Sequence, residues 1–352
     1  NELQQHPLTS KSILNDSIGG ALPGKQGEFE CFNPHNSIDH SLANEVKKLV
    51  ILQYGDRYPN ESLYSSDYLV NATNEGIAHS LIYRDPVTKK LLAYGALTPL
   101  GEDAWELGKI IVSDEARGRG LGNLITEAMS DYALNLKAHI LYAWTYASHD
   151  FSQKMFYKND FRPVGLNIAD WKDVFGIGSR ESAVLMTKIV NPDIQSEKDI
   201  YVTESLMEVL GSIYSDAGCK RNFVVNDQVF NKPKGILSIT HTCDSSEFDK
   251  NKSVFFFINN SQLGSFLSDV DSYSKQGAEY FSARFSISDP LAPEKIRQLS
   301  TKGFKFASVM PSLTGDILTM QLSLKAPDRS KLKLAHLQTQ GIYNFIVGVG
   351  RI

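Results

Sequence analysis

The stretch VSDEARGRGLGNLITEAM, Val112 to Met129, puts two arginines and three glycines into the six residues from Arg117 to Gly122, then runs into an amphipathic pattern. An aliphatic run precedes it, so the local order is strand, turn, helix. Glycine tolerates positive φ, which lets successive backbone N–H groups fold into a concave nest. A helix beginning at Leu121 adds its own unpaired N-terminal N–H groups and the positive end of its dipole. Together these form a seat for a phosphate or pyrophosphate, and Arg117 and Arg119 supply charge at its rim. Two familiar phosphate patterns do not fit. No Gly-Lys-Ser/Thr occurs, as a P-loop requires. A dinucleotide GxGxxG would use Gly118 and Gly120, but Asn123 stands at its third glycine, and the preceding runs resemble an antiparallel meander rather than a βαβ opening.

The turn needs elements on both sides to hold it. EFECF, from Glu28, is a short strand, and Ser37–Tyr54 carries a helical face at Leu42, Val46, Leu49 and Val50. AHSLIYRD, KKLLAYGALTPL and AWELGKIIVSD follow as three strands joined by hairpin-like connections. After the glycine turn, Leu121, Leu124, Ile125, Met129, Tyr132, Ala133 and Leu136 recur at helical spacing. HILYAWTY is a buried strand, SHDFSQKMFYKND a short helix, and FRPVGL and ESAVLMTKIV the closing strands. Asn191–Asp199, NPDIQSEKD, is the best domain boundary, and residues 1–27 are polar and broken by glycine, as in a loose arm.

The arrangement Arg-x-x-Gly-x-Gly, here Arg117, Gly120 and Gly122, resembles the signature of the GCN5-related N-acetyltransferases, the GNAT superfamily. The resemblance covers residues 28–190 in the right order of elements. HDFSQKMFYKNDF with RESAVLM is similar to a GNAT subgroup that carries a Ser-Gln-Lys motif after the fifth strand. It implies an α/β fold of the α+β kind: a mixed, mostly antiparallel sheet flanked by helices. It also implies acetyl-CoA as acyl donor, its pyrophosphate held by Arg117, Gly118, Arg119, Gly120, Leu121, Gly122 and Asn123. Ile111, Val112 and Ser113 would lie along the pantetheine arm, with the Val112 N–H as oxyanion donor. Ser152 and Lys154 would reach the pantetheine or the phosphates. No metal is expected. Whether a longer acyl group replaces acetyl stays open.

Acetyl transfer to an amine needs a base, an oxyanion donor and a proton for the thiolate. Glu106 is the candidate base: eleven residues before Arg117, flanked by Trp105 and Leu107, it matches the position of a glutamate in histone-acetyltransferase-type members. Its bland alternative is a solvated strand glutamate. Many members place a tyrosine acid in Y-x-x-x-G-F; here the position is Phe156 and Asp160 replaces the glycine, so Tyr157, one residue along, is the candidate acid, with water or a packing role as the alternatives.

Residues 200–352 lack the glycine signature, yet their strand and helix order resembles the closing portion of the same fold, so a second α/β domain, a degenerate copy or an unrelated one, is expected there. Its apolar tail should dock on a core or a partner. The net charge of −4 gives no basic excess for nucleic acid, and no apolar run reaches the length of a membrane span. Cys31, Cys219 and Cys243 form no CxxC pair, and the N-terminal residues lack a secretory pattern, so the cytoplasm is the expected compartment. The acceptor is a small-molecule or peptide amine, and a homodimer is compatible with the sequence. The rival to an N-acetyltransferase is a catalytically inactive acyl-CoA sensor or interaction module.

Overall fold

The computed structural model describes residues 28–58, 60–191, 197–225, 241–245, 251–258, 264–325 and 328–348. The expected arm (1–27), the middle of the expected linker (192–196) and the last four residues lie outside them. The secondary structure is mixed α/β with largely antiparallel strand pairing. The chain divides into two compact units, Asn1–Ala143 and Trp144–Ile352. Among the described residues no helix is long and apolar enough to cross a membrane.

The first unit contains β1 (Glu28–Phe32), α1 (His40–Tyr54), α2 (Ser66–Asn74), β2 (His79–Arg84), β3 (Leu91–Pro99), β4 (Ala104–Val112), α3 (Leu121–Asn135) and the start of β5 (Ile140–Tyr146). The strands lie in chain order, antiparallel from β1 to β4, and β5 joins β4 in parallel. The sequence reading assigned no element to 61–74. The signals were local: Asn60 caps a short 3-10 turn and Ser65 caps α2, each side chain accepting from a backbone N–H two or three residues on. Along α1, Leu42, Val46, Leu49 and Val50 bury against Ile82, Tyr94, Ala96 and Ile111. Gly95, between Tyr94 and Ala96, points to the opposite face. A Cβ there would lie 2.8 Å from Met129 Sδ and 2.9 Å from Ile125 Cγ2, so α3 rests directly on the β3 backbone. The two helices thus clamp the sheet from both faces, and α3 is fixed with its N-terminus just beyond the end of β4.

The second unit holds the end of β5, α4 (Phe151–Lys158), β6 (Arg162–Trp171), β7 (Glu181–Ile189), β8 (Asp199–Val202), α5 (Glu204–Ala217), β9 (Asn222–Val225), β10 (His241–Asp244), β11 (Ser253–Ile258), α6 (Gly264–Lys275), β12 (Tyr280–Ser286), α7 (Ala292–Thr301), β13 (Lys305–Met310), β14 (Ile317–Ser323) and α8 (Leu337–Val347). The order is β7-β6-β13-β14-β12-β11-β10, with β8 and β9 as a separate parallel pair. β11 and β12 run parallel, and the hairpin β13–β14 inserts its second strand next to β12. The first closing hairpin does the same: β7 lies beside the end of β5, where the Ala147 N–H donates to Ser182 O at 2.7 Å, and β6 lies beyond it. Arg221 and Asp316, both essentially unexposed, form an ion pair at 2.7 Å, and the Tyr214 hydroxyl donates to the same carboxylate at 2.6 Å. The tail expected to dock does so over its described part: α8 buries Ile342, Tyr343 and Ile346, and Phe345 meets Phe306 edge-on.

β6 and β13 meet at Gly165 and Ser308. A Cβ on Gly165 would fall 2.0 Å from Ser308 Cβ and 2.5 Å from its Cα. Backbone, not a movable side-chain tip, is in the way. Gly165→Ala is therefore expected to cost about 1–3 kcal/mol by forced separation of the two strands. Urea unfolding measures it, and an unchanged midpoint would contradict the close approach.

Candidate functional site

The glycine turn forms as the residue types demand. Gly118 and Gly120 have φ of 76° and 78°, and Gly120 is the N-cap of α3 in the left-handed region. The Leu124 amide of α3 bonds backward to Gly120 O at 3.2 Å. Among the described residues, the N–H groups of Gly118, Gly120, Leu121 and Gly122 have no hydrogen-bond partner. The space beside Gly118 is open. Converging free amides at a helix N-terminus form an anion seat. The two arginines separate in role. Arg117 is tied back, Nη1 to Asp114 at 2.8 Å and Nη2 to Gln53 of α1 at 2.6 Å. The Arg119 side chain, exposed, makes no ion pair or hydrogen bond among the described residues.

β4 leads to this turn through an irregular stretch. Its parallel register with β5 runs over Ala104–Glu106 opposite Ile140–Tyr142, and Leu107–Val112 continue past that register. Beyond it the pairing with β3 shifts between Tyr94 and Ala96, and Lys109 adopts φ of 56°. This bulge bends the strand and increases its twist. At its far end the Ser113 N–H donates to Leu92 O at 2.8 Å. That bond flanks a non-hydrogen-bonded pair, Ala93 opposite Val112, so the Val112 N–H and C=O are turned away from β3. The Ser113 hydroxyl is buried and has no partner. The Ile111 side chain, by contrast, is core, packed beneath α1, so only its backbone could face a ligand.

Glu106 is half-buried and directly opposite Thr98. Its carboxylate folds along β4 over Gly108: a Cβ there would lie 2.9 Å from Glu106 Oε1. Gly108 thus leaves the room that the carboxylate occupies. Lys109 donates to Thr98 Oγ1 at 2.8 Å. The structure therefore brings Glu106, Val112, Ser113 and the turn from Arg117 to Asn123 onto one strand and the helix that follows it.

Ser152, Lys154 and Tyr157 belong to the second unit. The Ser152 hydroxyl, near the start of α4, is buried without a partner. Lys154 is exposed and paired with Asp150, whose carboxyl it holds low. The Tyr157 ring stacks on His336 with centroids 3.9 Å apart, and the Arg162 guanidinium sits 4.4 Å from its centroid. Gln153, fully buried, explains the stack. Its amide donates to Tyr146 O, His149 O and Lys333 O and accepts from the Ala335 N–H at 3.0 Å, strapping residues 333–336 over α4. Sequence reading saw the motif but not the strap, whose other half lies far along the chain.

It also missed Glu181. This residue opens β7 and is 1% exposed. Burial pushes it up to about 7; the Ser148 hydroxyl opposes this, Asp173 adds to it, and the Phe175 amide opposes it. A charged residue at the head of the apolar run SAVLM was the available signal. Among the described residues no group of three or more His, Cys, Asp or Glu side chains could hold a metal.

The sequence model of the acetyltransferase (GNAT) family matches residues 44–161. No curated protein matches the sequence. Among solved structures, a spermidine N-acetyltransferase from Vibrio cholerae in complex with CoA and spermine is 17% identical, with 47% of this chain and 95% of that chain covered and a TM-score of 0.37. The ribosomal-protein-S18-alanine N-acetyltransferase from Escherichia coli is 15% identical, with 47% and 95% covered and a TM-score of 0.38. The aminoglycoside 6'-N-acetyltransferase from Enterococcus faecium is 14% identical, with 47% and 98% covered and a TM-score of 0.37.

Proposed function

We propose, from the premise that residues 44–161 form a domain of the acetyltransferase (GNAT) family, that this chain is an acetyl-CoA-dependent N-acetyltransferase. The observation that carries the proposal is the set of free amides at Gly118, Gly120, Leu121 and Gly122 on the helix N-terminus that follows β4. Those amides, the open space at Gly118 and the unspent Arg119 suit a pyrophosphate. The unpartnered Ser113 hydroxyl suits a polar arm laid along the end of β4.

Acetyl-CoA supplies a thioester carbonyl, which a neutral amine attacks, the C–N bond forming and the C–S bond breaking. The residues of this chain prepare that exchange. Arg119 and the nest hold the phosphates, while Arg117, tied to Asp114 and Gln53, stiffens the turn. The Val112 N–H, turned away from β3, donates to the developing oxyanion. Glu106 takes the proton that the ammonium must lose. Ser152 and Lys154 as cofactor contacts, and Tyr157 as the donor to the departing thiolate, are carried by the family resemblance alone; water is the alternative donor.

The second half fits a degenerate copy of the same fold. β11, β12, β14 and β13 repeat the parallel pair followed by an inserted hairpin. There the parallel register is unbroken from Ser253 to Phe257, against the three positions joining β4 and β5, so over these described residues it leaves no opening between strands for a pantetheine arm. One CoA is therefore expected per chain. Calorimetry with CoA tests the number, and thioester release across a panel of a polyamine, an aminoglycoside and an alanine N-terminal peptide tests the reaction. No CoA binding at millimolar concentration would overturn the proposal, and two sites per chain would overturn the account of the second half.

A further inference from the structure

Lys109 has no task in the acyl transfer described above. It lies three residues beyond Glu106 on β4, an odd spacing that in an unbroken strand would turn the two side chains to opposite faces. The strand is not unbroken there. Its register with β3 shifts between Tyr94 and Ala96, and Lys109 adopts φ of 56°. A bulge of this kind re-aims a side chain, and a lysine gains nothing from the left-handed region by itself. Backbone strain held at a candidate active site points to a use for the side chain that it redirects.

The redirection is toward Glu106. Thr98 stands directly opposite Glu106 in the β3–β4 register, so their side chains share a face, and Lys109 Nζ donates to Thr98 Oγ1 at 2.8 Å. One pair further along, Ala96 faces Gly108, and Ala96 belongs to the core beneath α1. The apolar floor therefore gives way to a polar pair at Thr98 and Glu106, with the lysine head beside it. All three residues are half-buried. An ammonium has three donors, and Thr98 takes one of those of Lys109. Among the described residues neither Glu106 nor Lys109 forms an ion pair, with the other or with a third group. Opposite charges thus stand on one half-buried face without neutralising each other.

A ligand that satisfies both groups carries both charges. Its ammonium meets Glu106, the proposed base, and its carboxylate meets the free donors of Lys109. Such charge-assisted bonds are stronger at a half-buried site than in bulk water. Resting on the acyl-transfer proposal, we infer that Lys109 is the carboxylate-binding residue of the acceptor site, and that the acceptor is a small amine bearing a carboxylate a few bonds from its nitrogen. The same residue works against polycations. A polyamine or an aminoglycoside whose reacting nitrogen lies at Glu106 brings a second ammonium toward Lys109, where like charges repel. Selectivity thus comes from an attraction for one class of amine and a repulsion of the other.

The experiment compares amines that differ only by the carboxylate: glycine with methylamine, β-alanine with ethylamine, and 4-aminobutyrate with n-propylamine. Each pair is assayed for acetyl transfer and, in parallel, for binding to the full chain without acyl donor. In at least one pair the carboxylate-bearing member should be favoured about tenfold in kcat/KM and in affinity, the contribution of one hydrogen bond to a charged group. This comparison uses the unmodified chain and so needs no variant that folds. In Lys109→Gln, whose amide can still donate to Thr98 but carries no charge, the preference should disappear. The ratio within a pair cancels any general loss of activity. A preference in no pair, or one that survives Lys109→Gln unchanged, would overturn the assignment. Transfer to both members of every pair at equal kcat/KM would do so while leaving the acyl-transfer proposal standing. Carboxylate-selective binding that depends on Lys109, with transfer to no amine, would support the subsite and overturn the acyl-transfer proposal instead.

Discussion

Glu106→Gln should lower turnover by about 10²–10⁴-fold, the usual contribution of one acid–base group, and leave CoA binding where it was. The substitution keeps the shape of a side chain whose carboxyl end fills the space over Gly108, so the bend of β4 should survive it. What it removes is the ability to take a proton. The deficit should shrink as pH rises, because more of the acceptor is then already neutral and less depends on the base. The pH profile is therefore the decisive measurement. A glutamate that merely paired with a neighbour would give a small, pH-independent change. Turnover equal to the parent at pH 7 would take Glu106 out of the mechanism. An inactive acyl-CoA sensor would show no turnover in either protein while still binding CoA.

Gly120→Asp should abolish stabilisation by CoA. The parent chain, with CoA at a hundredfold its dissociation constant, gains about 2.7 kcal/mol by mass action. In the variant two effects oppose that gain. Gly120 sits at φ 78° and ψ 12°, where a side chain is strained, and a carboxylate would stand at the N-cap between four free amides and the anion they are meant to hold. The same carboxylate can itself cap α3, so the unliganded protein should remain folded. Gly120→Ala separates strain from charge: it should weaken binding less than aspartate does. Thermal unfolding with and without CoA measures all three proteins. A full CoA shift in Gly120→Asp would mean that the anion binds elsewhere.

The parts of this site that were legible in the sequence are those whose chemistry is local. RGRGLG had to contain glycines where φ is positive, and the helix after it follows from spacing alone, so turn and helix start appear where the residues put them. The Val112 N–H was nameable, but its direction was not. That depends on which β3 residue stands opposite, and the Ser113-to-Leu92 bond decides it. Glu106 was singled out by its distance from Arg117; its folding over Gly108 is a consequence of the pleat, which places residues two apart on one face.

Tyr157 shows the opposite case. Its sequence neighbourhood invites a general acid, but its ring stacks on His336 because a buried glutamine four residues earlier holds the distant segment 333–336. Glu181 is a further example: its own strand does not bury it, but the β6–β7 loop and residues 328–332, well over a hundred positions away, close over it. The strand–turn–helix nest, the run of elements around it and the presence of a carboxylate upstream are written in local residue order, because dihedral preference and hydrophobic period act between near neighbours. Which amides stay free, which rings are covered and which carboxyl is buried follow from packing between distant segments. Burial and hydrogen-bond partnership belong to surfaces assembled from segments far apart in the chain, and no local pattern encodes them.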